Sequence, residues 1–174
     1  DAVNYLIGDN GESIRASAEA LGNDFLTRVE DKPLVGDVNE AAATIYQKLK
    51  QVEVNDKPTA IVWGGETTVK IKGNGLGGRN QELALIVAKL ANEYPVDKSW
   101  AFLSAGTDGR DGPTEAAGAI IDQQTCKRIL QSGYKTEDFL IDNNSNAALK
   151  ISEDLVHTGA TGTNVADVQI LVVS

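Results

Sequence analysis

The chain has 174 residues, long enough for one substantial core or for one domain and part of another. Its net charge of −9 comes from 25 acidic against 16 basic side chains, and no Lys/Arg cluster interrupts that balance, which argues against nucleic acid and anionic membranes as partners. No apolar run approaches the roughly 20 residues of a membrane span, and no basic-then-apolar leader opens the chain, so the sequence reads as soluble and cytoplasmic.

The chain starts at Asp1 and contains no methionine, which favours a fragment over a complete product. Val3 to Gly8 is a short apolar run that predicts a strand. Asp9-Asn10-Gly11 is turn chemistry able to cap a helix, which extends to about Leu21, with Gly22 as its stop. Asp24 to Val29 alternates loosely, as a half-buried strand does. Asp37 then caps a second helix, with Glu40 in capping-box spacing and Val38, Ala41, Ala42, Ile45 and Leu49 on one face. Residues 52–58 are a polar connector, and a domain boundary is expected there: 1–56 as the tail of an α/β domain, 57–174 as a second domain.

Beyond the connector, Thr59 to Trp63 is a buried-type strand ending in Gly64-Gly65-Glu66. Thr67 to Lys72 alternates as a second strand, read as a hairpin partner of the first. A glycine loop leads into a helix over residues 80–92 that is apolar nearly all round and therefore expects cover on several sides. Trp100 to Ser104 and Gly118 to Ile121 read as strands. Short helices are expected at residues 125–130 and near Phe139 and Ala147. A Gly/Thr loop, 158–164, precedes a last strand from Val168 to Val173. The order is mixed α/β, a sheet with helices on its faces.

The glycine loop carries the strongest chemical signal. Gly73, Gly75, Gly77 and Gly78 let backbone amides approach a ligand, and the helix start behind them carries partial positive charge. Arg79 at the junction adds a fork of donors for carboxylate or phosphate. Gly73, Gly75 and Gly78 formally match G-x-G-x-x-G, but neither Asp97 nor Asp108 stands where the acidic ribose partner of a dinucleotide site belongs. Close packing of a helix on a sheet is the plainer reason for the glycines, although it gives none for Arg79.

A second constellation is Thr107-Asp108-Gly109-Arg110-Asp111-Gly112-Pro113, which follows a buried strand. Asp108 and Asp111 in a glycine-rich turn suit a hydrated Mg²⁺ or general-base work on a hydroxyl; a tight turn with both carboxylates on backbone amides explains them as well. Thr163 and Asn164, in the 158–164 loop, suit hydrogen bonding to a small polar ligand. Glu66, at a strand end, is a further candidate. The single cysteine, Cys126, excludes an intrachain disulfide, and the single histidine, His157, cannot build a histidine metal cluster.

Taken in order, Gly64-Gly65-Glu66, Gly77-Gly78-Arg79-Asn80-Gln81-Glu82, Gly106-Thr107-Asp108-Gly109 with Asp111-Gly112-Pro113-Thr114, Ala117-Gly118-Ala119 and Thr161-Gly162-Thr163-Asn164-Val165 resemble the C-terminal, MOFRL, domain of glycerate 2-kinases. The resemblance runs from about Pro58 to the end, and residues 1–51 look like the tail of that family's Rossmann-like N-terminal domain. It departs at Ala160, where the family usually has proline, and at Asn144 and Asn146, where it usually has an acidic residue and an aromatic.

The resemblance implies ATP-dependent phosphorylation of D-glycerate at its 2-hydroxyl, with Mg²⁺. It implies catalytic roles for Arg79, Asp108 and Asp111, with Asp108 as base or metal ligand. Glu66, Gly77, Gly78, Asn80, Thr107, Thr163 and Asn164 would meet the substrate. Family kinases are longer, and their N-terminal domain supplies a site lysine and the other wall of the cleft, so this chain alone is expected to be inactive. A homodimer is left open. Two other readings stand beside the kinase: an NAD(P)H-dependent hydroxypyruvate reductase, a label some family members have carried, and a non-catalytic module that binds a small acid.

Overall fold

The computed structural model describes residue 3 and residues 8–174. The first expected strand, Val3 to Gly8, falls largely outside the described residues. One mixed sheet is built from β1 (Leu26–Val29), β2 (Leu34–Asp37), β3 (Thr59–Thr68), β4 (Trp100–Gly106), β5 (Gly118–Asp122), β6 (Leu155–Val156) and β7 (Asp167–Val173). The order across it is β1-β3-β7-β4-β5-β6, and β2 follows β1 along the same edge of β3. β1 and β2 run parallel to β3, whereas β7, β4, β5 and β6 join by antiparallel pairing.

The helices are α1 (Asn10–Leu21), α2 (Val38–Gln51), α3 (Arg79–Glu93), α4 (Thr125–Gln131), α5 (Thr136–Ile141) and α6 (Ser145–Ile151). Asp9 and Asp37 cap α1 and α2 as their sequences predict, their side chains accepting from the amides of Glu12 and Asn39. Gly22 ends α1 with φ +60°, in the left-handed region open to glycine. α2 buries Val38, Ala41, Ala42, Ile45, Tyr46 and Leu49, the stripe expected from its spacing plus one tyrosine. α3 is buried from Asn80 to Ala88, so its all-round apolarity is matched by contacts with α2, the sheet and α4 to α6.

The core lies between these helices and one face of the sheet. Ile61, Leu171, Phe102 and Ile121 stand in register across β3, β7, β4 and β5, and each is fully buried or nearly so. Each such side chain contributes about 1.5–3 kcal/mol by leaving water. α1 packs on the opposite face, over β1, β3 and β7.

The expected hairpin between residues 59–63 and 67–72 does not form. β3 runs unbroken through Gly64 and Gly65 to Thr68, and residues 69–72 carry no strand. The two glycines do not turn the chain; they let neighbours approach it. A Cβ on Gly64 would lie 1.8 Å from Asn10 Oδ1 of α1, and one on Gly65 would lie 2.1 Å from the Leu34 carbonyl of β2. β2 and β6, too short to show a period, are additions to the expected elements. The connector 52–58 leads from α2 directly into β3, so β1 and β2, which precede it, share a sheet with the strands that follow.

Candidate functional site

The rows of the sheet change from apolar to polar towards the start of β7. Below the row of Leu171 comes Gln169, between Trp63 and Ser104, and then Asp167, between Gly65 and Gly106. Glycine stands on both sides of Asp167, and the Asp167 side chain is met by Arg79. Its Nε donates to Asp167 Oδ2 at 2.7 Å and its Nη2 to Oδ1 at 2.9 Å, a fork-to-fork pair. Nη1 lies 3.1 Å from Glu66 Oε1. Asp167 is fully buried, and its hydrogen bond is the chief reason that the Arg79 pKa is raised above its ordinary value. Sequence reading missed Asp167, an acidic residue at a strand start with no motif around it.

Four glycines of the loop before Arg79 prove to be sites of close approach. A Cβ would lie 2.4 Å from Asp142 at Gly73, 2.3 Å from Asn144 at Gly75, 2.1 Å from Ser145 Oγ at Gly77 and 2.3 Å from the Asp111 carboxylate at Gly78. The amides of the loop's first half are already taken. Those of Lys72 and Gly73 donate to Asn143 Oδ1, that of Asn74 to Asp142 Oδ1, that of Gly75 to the Asp142 carbonyl and that of Leu76 to Asn144 Oδ1. Residues 72–76 therefore form a strap fastened to the α5–α6 turn. Only the amides of Gly77, Gly78 and Arg79 have no partner among the described residues.

Asp111 caps α3 from a distant loop. Its Oδ1 accepts from the Asn80 amide and side chain, and its Oδ2 from those of Gln81. It is 2% exposed, and burial pushes its pKa up against those hydrogen bonds. Asn80, expected to meet substrate, is buried too, and its Oδ1 accepts from Ser104 at 2.6 Å. Asn146, a departure from the family pattern, donates to Gln81 Oε1.

Thr107 and Asp108 lie at the end of β4. Thr107 pins the returning loop: its Oγ1 donates to the Ala166 carbonyl and accepts from the Val165 amide, both at 2.8 Å. Asp108 Oδ1 accepts from the Arg110 amide, and Oδ2 has no partner among the described residues. A Cβ on Gly106 would lie 2.7 Å from the Arg110 carbonyl oxygen, 3.1 Å from Asp108 Oδ1 and 3.7 Å from Asp167 Oδ1, so the chain folds back closely over Gly106 and brings both carboxylates near it. Thr163 and Asn164 are exposed on the 158–166 loop.

A cleft of about 620 Å³ is lined by Glu66, Val69, Gly77, Gly78, Arg79 and Glu82, with Gly112 and Pro113 closing one side. Thr107, Asp108, Thr163 and Asn164 are not in that lining; they form a second group, joined to the first through Asp167. A neighbouring cavity of about 410 Å³, lined by Lys70, Lys72 and Lys89, shares Val69, Glu82 and Asn143 with the cleft. The chain between them is the strap and the residues before it. Glu82 is buried with Asn143 Nδ2 donating to its Oε1 at 3.0 Å, and burial raises its pKa. Among the described residues no three His, Cys, Asp or Glu side chains converge to hold a metal, and His157 is exposed.

Comparison with known proteins gives the site a family. D-glycerate 2-kinase of Thermotoga maritima is 41% identical over 172 residues, which is 95% of this chain and 40% of that protein. Glycerate 2-kinase of Pyrococcus horikoshii is 36% identical over 179 residues, covering 98% of this chain and 39% of its own. A crystal structure of glycerate kinase from Thermotoga maritima superposes with a TM-score of 0.90 at 39% identity, covering 98% of this chain and 42% of that one. The chain thus spans about two fifths of the length of these relatives. Residues 59–167, from the first residue of β3 to Asp167, match the MOFRL family, and the chain belongs to it.

Proposed function

We propose that this chain serves as the MOFRL part of an ATP-dependent D-glycerate 2-kinase, and that residues 1–56 hand over to an N-terminal α/β domain forming the other wall of the cleft. The observation that carries the reading is the Arg79 fork at the cleft, in a chain whose relatives are named glycerate kinases. Phosphoryl transfer asks for positioning and charge neutralisation more than for covalent chemistry, and this site offers both.

Arg79 and the amides of Gly77, Gly78 and Arg79 itself receive an anionic group, the carboxylate of glycerate or a phosphate. Asp108, whose Oδ2 has no partner among the described residues, accepts the proton of the glycerate 2-hydroxyl as the hydroxyl oxygen attacks the γ-phosphorus of ATP, giving 2-phosphoglycerate and ADP. Asp111, enclosed by four donors of Asn80 and Gln81, acts by holding the start of α3 and with it Arg79. Thr107 sets the loop that presents Thr163 and Asn164 to the substrate. The other role open to Asp108 is that of Mg²⁺ ligand in place of base: a lone carboxylate with phosphate oxygens and water suits that ion, which would neutralise phosphate charge there.

The test is phosphorylation of D-glycerate with ATP by the full-length enzyme, beside NADH oxidation with hydroxypyruvate. Arg79→Ala should lower kinase turnover by about 10²-fold or more, the scale of losing a group that stabilises transition-state charge. Near-normal turnover in that variant removes Arg79 from the site, and reductase activity without kinase activity reverses the assignment.

A further inference from the structure

Arginine carries five N–H donors, and hydrogen bonds engage two, Nε and one on Nη2, both with Asp167; Nη1 lies 3.1 Å from Glu66 Oε1 as an ion pair. The two acidic partners differ in every physical respect. The Asp167 side chain is 0% exposed and stands between two glycines; its main-chain carbonyl accepts from Asn10 Nδ2 of α1 at 2.9 Å. Removing its partner would strand a buried charge, so this pair does not open in the folded state. The Glu66 side chain is 59% exposed, touches Arg79 through one oxygen and lies at the cleft. An exposed pair of that kind is worth about 0–1 kcal/mol and exchanges readily with other anions.

Charge counting leads to the same place. With Asp167 alone the Arg79 pair is neutral; with Glu66 added the cluster carries an excess negative charge facing the cleft. An entering carboxylate or phosphate meets that negative charge unless Glu66 moves away. Glu66 stands on β3 two residues past Gly64, at a point where the strand's edge partner is the four-residue β2. The side chain is therefore free to swing while its backbone stays in the sheet.

We propose that Arg79 has one permanent and one exchangeable counter-ion: buried Asp167 positions the guanidinium, and exposed Glu66 occupies the place on Nη1 that a ligand's carboxylate or phosphate takes over. This rests on the reading of Arg79 as the anion-holding group. Asp167 is a positioning residue acting through Arg79, and Glu66 is a self-supplied competitor that sets the affinity for the acid substrate.

The experiment titrates the 174-residue chain with inorganic phosphate and with D-glycerate by calorimetry, and follows the Arg79 Nε–H resonance. In the wild type and in Glu66→Gln that proton should exchange slowly; in Asp167→Asn it should lose its protection. Glu66→Gln should bind the anion about two- to fivefold more tightly, the scale of an exposed ion pair. Asp167→Asn should bind about tenfold or more weakly, as when one partner of a buried charge pair is removed. Thermal unfolding checks that Asp167→Asn is folded, and Glu66→Gln, at an exposed position, decides the matter if it is not. Equal weakening by both variants, unchanged affinity in both, or no anion bound by wild type and Glu66→Gln overturns the proposal. Phosphate obeying this order while D-glycerate fails to bind leaves the exchange intact and removes the glycerate reading.

Discussion

Gln169 places an amide in the interior of the sheet. It is fully buried between Trp63 and Ser104, and neither end of its amide has a partner among the described residues. Replacing it by leucine should raise the unfolding free energy by about 1–2 kcal/mol, the penalty of an unpaired buried amide, measured by urea denaturation. Loss of stability on that scale would show that the amide is satisfied after all. Glu82 poses the related problem for a charge. Burial raises its pKa above the ordinary 4.5, with the charge of Asp111 adding to the effect and the Asn143 hydrogen bond opposing it. The folded state thus holds the proton more tightly than the unfolded one, so this group's contribution to stability declines as pH rises from 4.5 through the raised pKa. Asp111 is shifted in the same direction, first by burial. Glu82→Gln keeps an acceptor for Asn143 and carries no charge. It should flatten the fall of Tm as pH rises above 4.5 and unfold at higher temperature at neutral pH; an unchanged pH profile would mean that Glu82 ionises without cost.

The start of α3 is where element and site meet, and it shows what the sequence could and could not disclose. The helix itself was legible because apolar residues recur all round it, and α2 was legible from its single stripe. Arg79 was legible as a polar outlier at a junction built otherwise for packing. The purpose of the glycines was not, because it depends on partners far along the chain: Gly78 on Asp111, Gly77 on Ser145, Gly73 and Gly75 on Asp142 and Asn144. The packing explanation and the anion-site explanation both survive, divided along the loop, with the first half fastened to the α5–α6 turn and the last three amides left open. Gly78→Ala should therefore cost about 1–3 kcal/mol, since its methyl group would drive into the carboxylate and backbone of Asp111 that cap the helix. The same variant should weaken anion binding by shifting Arg79. Chemical denaturation and calorimetry on one preparation check both, and a fully stable Gly78→Ala protein would refute the close approach. The false hairpin has the same origin: a Gly-Gly pair in an apolar run signals a turn, but here it admits α1 and β2 to the two sides of a continuous strand.

Across the whole molecule the sheet is unevenly supported. β3, β7 and β4 are long, central and paired on both edges, whereas β1 and β2 are four-residue strands whose ladder is with β3. Amides of β1 and β2 should open to hydrogen exchange at lower free energy than those of β7, which approach the global value. Uniform protection would make residues 1–56 an integral layer of this unit and count against assigning them to another domain. Long range is also why Asp167 escaped sequence reading: it lies 88 residues from Arg79, and only the antiparallel return of β7 brings the two together. One further property belongs to the chain as a whole. Cys126 is its single thiol, it is buried, and burial raises its pKa, so little reactive thiolate forms near neutral pH. Ile71, beside the strap between the two cavities, is 81% exposed. Replacing Ile71 by cysteine gives a single reactive attachment point for a fluorophore or spin label while the buried Cys126 stays in place, so ligand entry can be followed by light or electron resonance.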